Sequence, residues 1–263
     1  MASERRRAAF RLAIEYDGGG FHGWQLQREE RTVQGVLETA LRRLAQGAVR
    51  LAGAGRTDAG CHAVGQVASV TLETRLDADR LRLALNAHLP SDLRVVEAAE
   101  VPPGFHARFD AMRRSYRYLI VPRPSAIRRG FAWIRAVRTD AAALDDAVRP
   151  LLGTHDFTSF SKQGGEHGAM RCRVTRAKWR SRRGAFRFDI EADRFLYTMV
   201  RRIVATVVRA AEGGGGARAI RAALEARDRR AAAPAAPAHG LYLMRVRYPR
   251  AGWIPKEPLD VGP

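Results

Sequence analysis

The run GAGRTDAGCHAVGQVASV, Gly53 to Val70, sets an aspartate two residues after an arginine inside a glycine-rich turn. A carboxylate beside a cation stays ionised, because the positive charge favours its charged form. An ionised aspartate fixed in a loop can act as a covalent nucleophile and split one difficult rearrangement into easier steps. Asp58 is that candidate. The glycines at 53, 55 and 60 permit a tight turn and close approach of a ligand. A turn aspartate can also do no more than accept backbone hydrogen bonds and fix its own loop. Arg56 can hold the carboxylate or, equally, a phosphate. The residue types leave these readings open.

Two further residues have the chemistry to serve such an aspartate. Tyr116 lies in RRSYRY, where strand alternation puts Tyr116 and Tyr118 on one face and Arg117 on the other. Aromatic rings beside arginines stack nucleobases while the cations meet phosphates. The same rings also make ordinary core, which is the expectation for Tyr118. Arg201 flanks the most apolar helical stripe of the chain. A charged head there either reaches solvent or, if buried, needs an anionic partner, and Asp58 is the one the motif offers. The seven histidines and two cysteines, Cys61 and Cys172, show no metal-ligand spacing and no CxxC. No Walker, deaminase, nucleophile-elbow or kinase signature is present. What remains is a reaction that a carboxylate carries unaided.

Positioning these residues requires elements with legible starts and stops. Phe10, Leu12, Ile14 and Tyr16 alternate as a half-buried strand, ended by the glycines at 18 to 20. Thr32 caps a helix whose apolar face is Val36, Leu37, Ala40, Leu41 and Leu44. A strand follows the motif at Ala68, Val70 and Leu72. Asp79 caps a helix carrying Leu81, Ala84, Leu85 and His88, Pro90 stops it, and Leu93 to Ala98 form a strand. Pro102, Pro103 and Gly104 break the pattern. This gives an α+β domain over 1–108 that carries the aspartate loop, and a second over 109–263. In the second, Ser115 to Val121 reads as a strand. Asp140 caps a helix with Leu144, Ala147, Val148 and Leu151. Residues 155–170 read as a mobile polar loop. Strands at Cys172 to Trp179 and Ala185 to Ala192 flank a turn at 181–184. A helix over 194–211 buries Met199, Val200, Ile203, Val204, Val207 and Val208, and Gly213 to Gly216 end it. A helix over 217–227, a loop at 233–240, a strand at Leu241 to Tyr248 and an irregular tail complete the chain. Hairpins in this half favour a mixed or antiparallel sheet.

The 263 residues include 46 Lys and Arg against 27 Asp and Glu, a formal charge of +19. Such an excess attracts polyanions and makes association salt-dependent. Lysine occurs only at Lys162, Lys178 and Lys256, so arginine supplies the charge. Its planar fork suits bidentate phosphate contacts, although a GC-rich genome enriches arginine equally well. Arg5 to Arg7 read as a solvated start. No apolar run has the length of a membrane span or a signal peptide, and the cysteine usage fits a reducing cytoplasm.

Several separate blocks, in order, resemble the TruA family of tRNA pseudouridine synthases. GRTDAGCHAVGQVA at 55–68 is similar to that family's catalytic motif. FRLAIEYDGGGFHGWQLQ at 10–27, TVQGVLETAL at 32–41, NAHLPSDLRV at 86–95 and FHARFDAMRRSYRY at 105–118 support it. So do LLGTHDFTSF at 151–160, FLYTMVRRIV at 195–204 and HGLYLMRVRYP at 239–249. The resemblance covers almost the whole chain. It implies a pseudouridine synthase fold, with two similar mixed or antiparallel-sheet domains flanking a basic RNA-binding cleft, in a homodimer. It implies isomerisation of uridine at positions 38, 39 and 40 of the tRNA anticodon arm, with no metal or organic cofactor and no DNA or membrane partner. Asp58 is then the nucleophile. Tyr116 stacks on the target uracil and assists a late proton transfer. Arg201 pairs with the aspartate, and Arg56 positions the flipped nucleotide.

The chain departs from the pattern at Cys61, where valine is common, and at Thr198, Arg202 and Ala205, where histidine, asparagine and glycine are. Arg202 puts a further cation beside the expected RNA path. Two other classes compete: an RNA-binding protein, which would not need Asp58, and a hydrolase, which would need further carboxylates that the motif lacks.

Overall fold

The computed structural model describes residues 5–45, 48–163 and 169–249. The strands are β1 (Arg6–Tyr16), β2 (Ala52–Gly53), β3 (His62–Thr74), β4 (Leu93–Val101), β5 (Arg113–Val121), β6 (Trp133–Ile134), β7 (Gly153–Asp156), β8 (Arg171–Arg182), β9 (Ala185–Ala192) and β10 (Leu241–Arg247). The helices are α1 (Val33–Leu44), α2 (Ala78–His88), α3 (Ala141–Ala147), α4 (Met199–Glu212) and α5 (Gly216–Ala226). This is an α+β protein. Its contacts divide the described residues into two units, one holding those through Met112 and from Leu243 to Pro249, the other Arg113–Tyr242.

In the first unit the strand order is β4-β1-β3-β10, with β2 also on β3. β1 pairs antiparallel with both neighbours, Phe10 opposite Val70 and Leu12 opposite Ala98. Phe10, Leu12, Ile14 and Tyr16 are buried as their alternation predicts. The strand is not half-buried, however: Arg11 and Ala13 on its other face are buried too. The Arg11 guanidinium lies over the Phe105 ring, and burial pushes its pKa down to about 10. Arg6 and Arg7 are exposed to solvent, but they are not a loose start. They extend β1 opposite Thr74 and Glu73, and Arg6 pairs with Glu100.

Thr32 caps α1 as expected, its Oγ1 accepting the Gly35 N–H at 3.2 Å. The α2 cap is Asp77 instead of Asp79, with Oδ1 accepting the Arg80 N–H at 2.8 Å. Two aspartates compete here. The earlier start leaves Asp79 in the first turn, where a carboxylate favours the helix dipole. His88 is exposed, and Leu89 joins Leu81 and Leu85 in the core instead. The chain returns to this unit through β10. Gly65 has no room for a Cβ beneath the Met244 carbonyl, which would lie 2.2 Å away. The Met112 N–H donates to Arg247 O at 2.8 Å, and the Tyr248 hydroxyl to Ala107 O at 2.7 Å.

In the second unit β5, β9, β8 and β7 form an antiparallel run, and β6 lies parallel to β5. Its buried face carries Tyr118, Phe188 and Trp179 in register, the last two stacked at 4.9 Å. Arg183 and Gly184 turn the β8–β9 hairpin at φ 50° and 77°, the paired positive φ values of a type I′ turn. Helices α3, α4 and α5 pack on one another, and α3 also on β8. Asp140 caps α3, which stops at Ala147; Val148 and Leu151 are buried around a 3₁₀ turn.

Residues 155–160 are not a mobile loop. His155 and Asp156 pair with Cys172 and Arg171, and Phe157 and Phe160 are fully buried, anchoring the segment. Residues 164–168, and the tail expected after Pro249, lie outside the described residues. Helix α4 begins at Met199, five residues later than its periodicity suggests. Asp193 Oδ1 accepts the N–H groups of Arg173 and Arg194, which keeps the chain on the sheet. Thr198 then turns it with φ 62°, in the left-handed region. All six stripe residues are buried, each contributing about 1.5–3 kcal/mol. No helix among the described residues is long and apolar enough to cross a membrane.

Candidate active site

The Asp58 loop leaves β2 and re-enters the sheet at β3. Asp58 itself is half-buried, Arg56 is exposed and Thr57 is buried between them. The turn from Asp58 to Cys61 is closed by the Cys61 N–H on Asp58 O at 3.1 Å. Gly60 has φ 78°, a positive third-position angle that type II turns place on glycine.

What fixes this loop is the segment after β1, residues 16–24. The Tyr16 hydroxyl and Thr57 Oγ1 are 2.7 Å apart, and burial pushes the Tyr16 phenol pKa up, so it stays protonated. The Trp24 N–H donates to Thr57 O at 3.1 Å, and the Gly60 N–H to Phe21 O at 3.2 Å. Three glycines bring the backbones together. A Cβ on Gly18 would lie 1.9 Å from Cys61 O, one on Gly23 2.7 Å from Thr57 O, and one on Gly53 2.4 Å from the Trp24 ring. Gly53 therefore makes room for Trp24 and not for a ligand. From the strand side, Gln66 is fully buried, and its Nε2 donates to Gly55 O at 2.8 Å. His62 Nδ1 lies 3.0 Å from Gly18 N and 3.1 Å from Asp17 Oδ1. Cys61 is buried. The result is a loop whose backbone is bonded on both sides and whose aspartate side chain is left half-open. Sequence reasoning took the glycines at 18 to 20 only as a strand end. The signal that could have revealed the cradle was glycine density between aromatics, in YDGGGFHGW.

Tyr116 and Arg201 belong to the second unit. Tyr116 is buried on β5, its ring edge-on to Phe195 at 5.0 Å and 83°. Tyr118 is core as expected, its hydroxyl donating to Pro237 O at 2.8 Å. Arg117 does not offer its charge to a phosphate. It is buried on the opposite face, and its Nε donates to Asp189 Oδ1 at 2.8 Å. Burial acts to raise the Asp189 pKa, but bonds from Arg117 and Arg187 outweigh it and hold it below the usual range.

Arg201 is half-buried on α4 and does not simply extend to solvent. Its Nε donates to Ala236 O at 2.7 Å while Ala236 N–H donates back to Arg201 O at 3.1 Å. Arg202 does not present a free cation to an RNA path either. Its Nη2 donates to the carbonyls of Arg229 and Ala232, and burial lowers its pKa. Thr206 Oγ1 accepts the Ala233 N–H at 2.9 Å. Residues 229–237 are thereby strapped along α4. Thr198 Oγ1 is buried without a hydrogen-bond partner in the described structure. Among the described residues no group of three His, Cys, Asp or Glu is arranged to hold a metal ion.

Known proteins are similar to this sequence over most of its length. The family described as tRNA pseudouridine synthase matches residues 12–110 and 147–249, which include Asp58, Arg56 and Arg201. A tRNA pseudouridine synthase A of Parvibaculum lavamentivorans is 42% identical over 242 residues, covering 91% of this chain and 98% of its own. One of Rhodospirillum rubrum is 44% identical over 245 residues, 91% and 87% of the two chains. One of a Roseiflexus species is 45% identical over 250 residues, 92% and 91%. With the aspartate on its glycine-built loop inside that match, the chain belongs to the tRNA pseudouridine synthase family.

Proposed function

We propose that the protein is an isomerase that converts uridine to pseudouridine at positions 38, 39 and 40 of the tRNA anticodon arm. The observation that carries this reading is the rigid, doubly bonded backbone that leaves Asp58 half-open inside the family match. In the reaction the N1–C1′ bond breaks, the uracil turns, and a C5–C1′ bond forms. C5 gives up a proton and N1 gains one, so no atom is lost overall. Asp58 is the nucleophile, Tyr116 stacks on the uracil, Arg201 pairs with the aspartate, and Arg56 holds the displaced nucleotide. Extruding the base costs a few kcal/mol, and stacking at about 1–3 kcal/mol per base with phosphate contacts offsets it. Two domains line a basic cleft in a cytoplasmic homodimer, and no metal or organic cofactor takes part.

The test is pseudouridine mapping on an unmodified tRNA transcript. Asp58→Asn should lower turnover by about 1,000-fold or more while tRNA binding persists. Turnover within about tenfold of wild type would remove the nucleophile from Asp58. A chelator should leave turnover of an isolated anticodon stem-loop unchanged; rescue by stoichiometric metal would overturn the cofactor-free reading.

A further inference from the structure

The β8–β9 turn carries charge that its surroundings do not balance. Ile120 pairs with Phe186 and Arg182 with Ala185, which brings the end of β5 beside the hairpin turn. A Cβ on Gly184 would lie 3.4 Å from Pro122 Cγ, so Arg123 follows a residue in contact with the turn, at the same end of the sheet as Arg182 and Arg183. All three are exposed, and among the described residues none forms an ion pair. Farther along the same strands several cations meet acids, while Arg171, Arg173 and Arg176 of β8 are exposed as well. Arg117, Arg180 and Arg187 share Asp189, Arg113 meets Glu191, and Lys178 meets Asp145. Arg183 also occupies a left-handed position, φ 50°, where turns of this type favour asparagine or glycine. An arginine held in unfavourable backbone at an unbalanced tip points to use of its charge.

We propose that Arg123, Arg182 and Arg183 form a phosphate grip for tRNA nucleotides outside the anticodon stem-loop. The proposal rests on the tRNA-modifying reading given above. Arginine forks match phosphate oxygens, and three of them with no acid at hand match a run of backbone phosphates. A second copy of a chain with a formal charge of +19 would bring like charge to the tip. Tyr116 lies six residues before Pro122, about 20 Å away along an extended strand. The grip therefore holds nucleotides well away from a uracil stacked on that ring.

The experiment measures binding of full-length tRNA and of the isolated stem-loop across salt, with turnover on both. The variant replaces Arg123→Gln, Arg182→Gln and Arg183→Gln together. Its salt slope on full-length tRNA should be smaller by about 2–3. Between 50 and 200 mM salt, wild type should lose about 40-fold more affinity than the variant. Binding and turnover of the stem-loop should not change. Arg→Lys at the same three positions should restore most of the slope, which separates charge from folding. An unchanged slope on full-length tRNA would overturn the grip, and an equal loss on both RNAs would overturn its placement beyond the stem-loop. Failure of wild type to make pseudouridine in either RNA would instead strike the functional reading, since the slopes come from binding alone.

Discussion

Main-chain bonds join Tyr16 and Gln66 in holding the Asp58 loop, whereas the strap beside Arg201 is held mainly by side chains. Around Asp58, main-chain bonds from Trp24 and Gly60 run between two segments that touch because Gly18 and Gly23 have no side chains. Along α4, the guanidinium groups of Arg201 and Arg202 and the hydroxyl of Thr206 reach across to main-chain groups of residues 229–236. The first arrangement tolerates no added atom and little motion. The second can lose one side chain and keep the others. A group that must meet a substrate atom directly gains most from the first kind of support; a balancing cation can work from the second.

Three substitutions break or sharpen this contrast. The largest effect is expected from Gly23→Ala, where the new methyl would meet Thr57 O at 2.7 Å with φ at 87°. Overpacking and left-handed strain together should cost about 3 kcal/mol or more, and turnover should collapse. A melting curve and a turnover assay check it; near-wild-type values for both would mean that the cradle does not fix the loop. Next is Arg202→Gln, which releases the Arg229 and Ala232 carbonyls. It should cost about 2 kcal/mol of stability. If the strap positions Arg201, kcat should fall while KM for tRNA stays near wild type; a lower melting temperature with unchanged kcat would reduce the strap to scaffolding. The smallest change is a gain. Thr198→Gly removes a left-handed β-branched residue and an unpartnered hydroxyl, and should raise stability by about 1 kcal/mol in denaturant unfolding. A loss there would show that the threonine makes contacts worth more than its strain.

Much of this was legible because it is local. Thr32 and Asp140 were readable as caps, the β8–β9 turn from its Arg-Gly pair, and the α4 stripe from its periodicity. The Asp58 loop stood out by composition. What was not legible depends on partners far away in sequence. Asp193 delays α4 by bonding Arg173, twenty positions earlier. Phe157 and Phe160 turn a polar-looking loop into core because α4 and α5 are there to receive that turn. Arg117 alternates like a surface residue, yet it is spent on Asp189 across the sheet. The cradle of residues 16–24 has no periodicity at all; its glycines mean something only once the Asp58 loop is laid against them.

The return of β10 to the first unit fixes an order of events at the ribosome. Gly65 packs under Met244, Met112 bonds Arg247, and Tyr248 bonds Ala107, so the unit that begins the chain is closed by nearly its last described residues. A nascent chain that has emerged as far as Tyr242 has all of the described residues of the second unit and still lacks most of β10, the closing strand of the first. The N-terminal-first order usual in synthesis is inverted here. The unit that carries Asp58 is therefore finished after the second, and a chain cut short before β10 holds the Asp58 loop on an incomplete sheet.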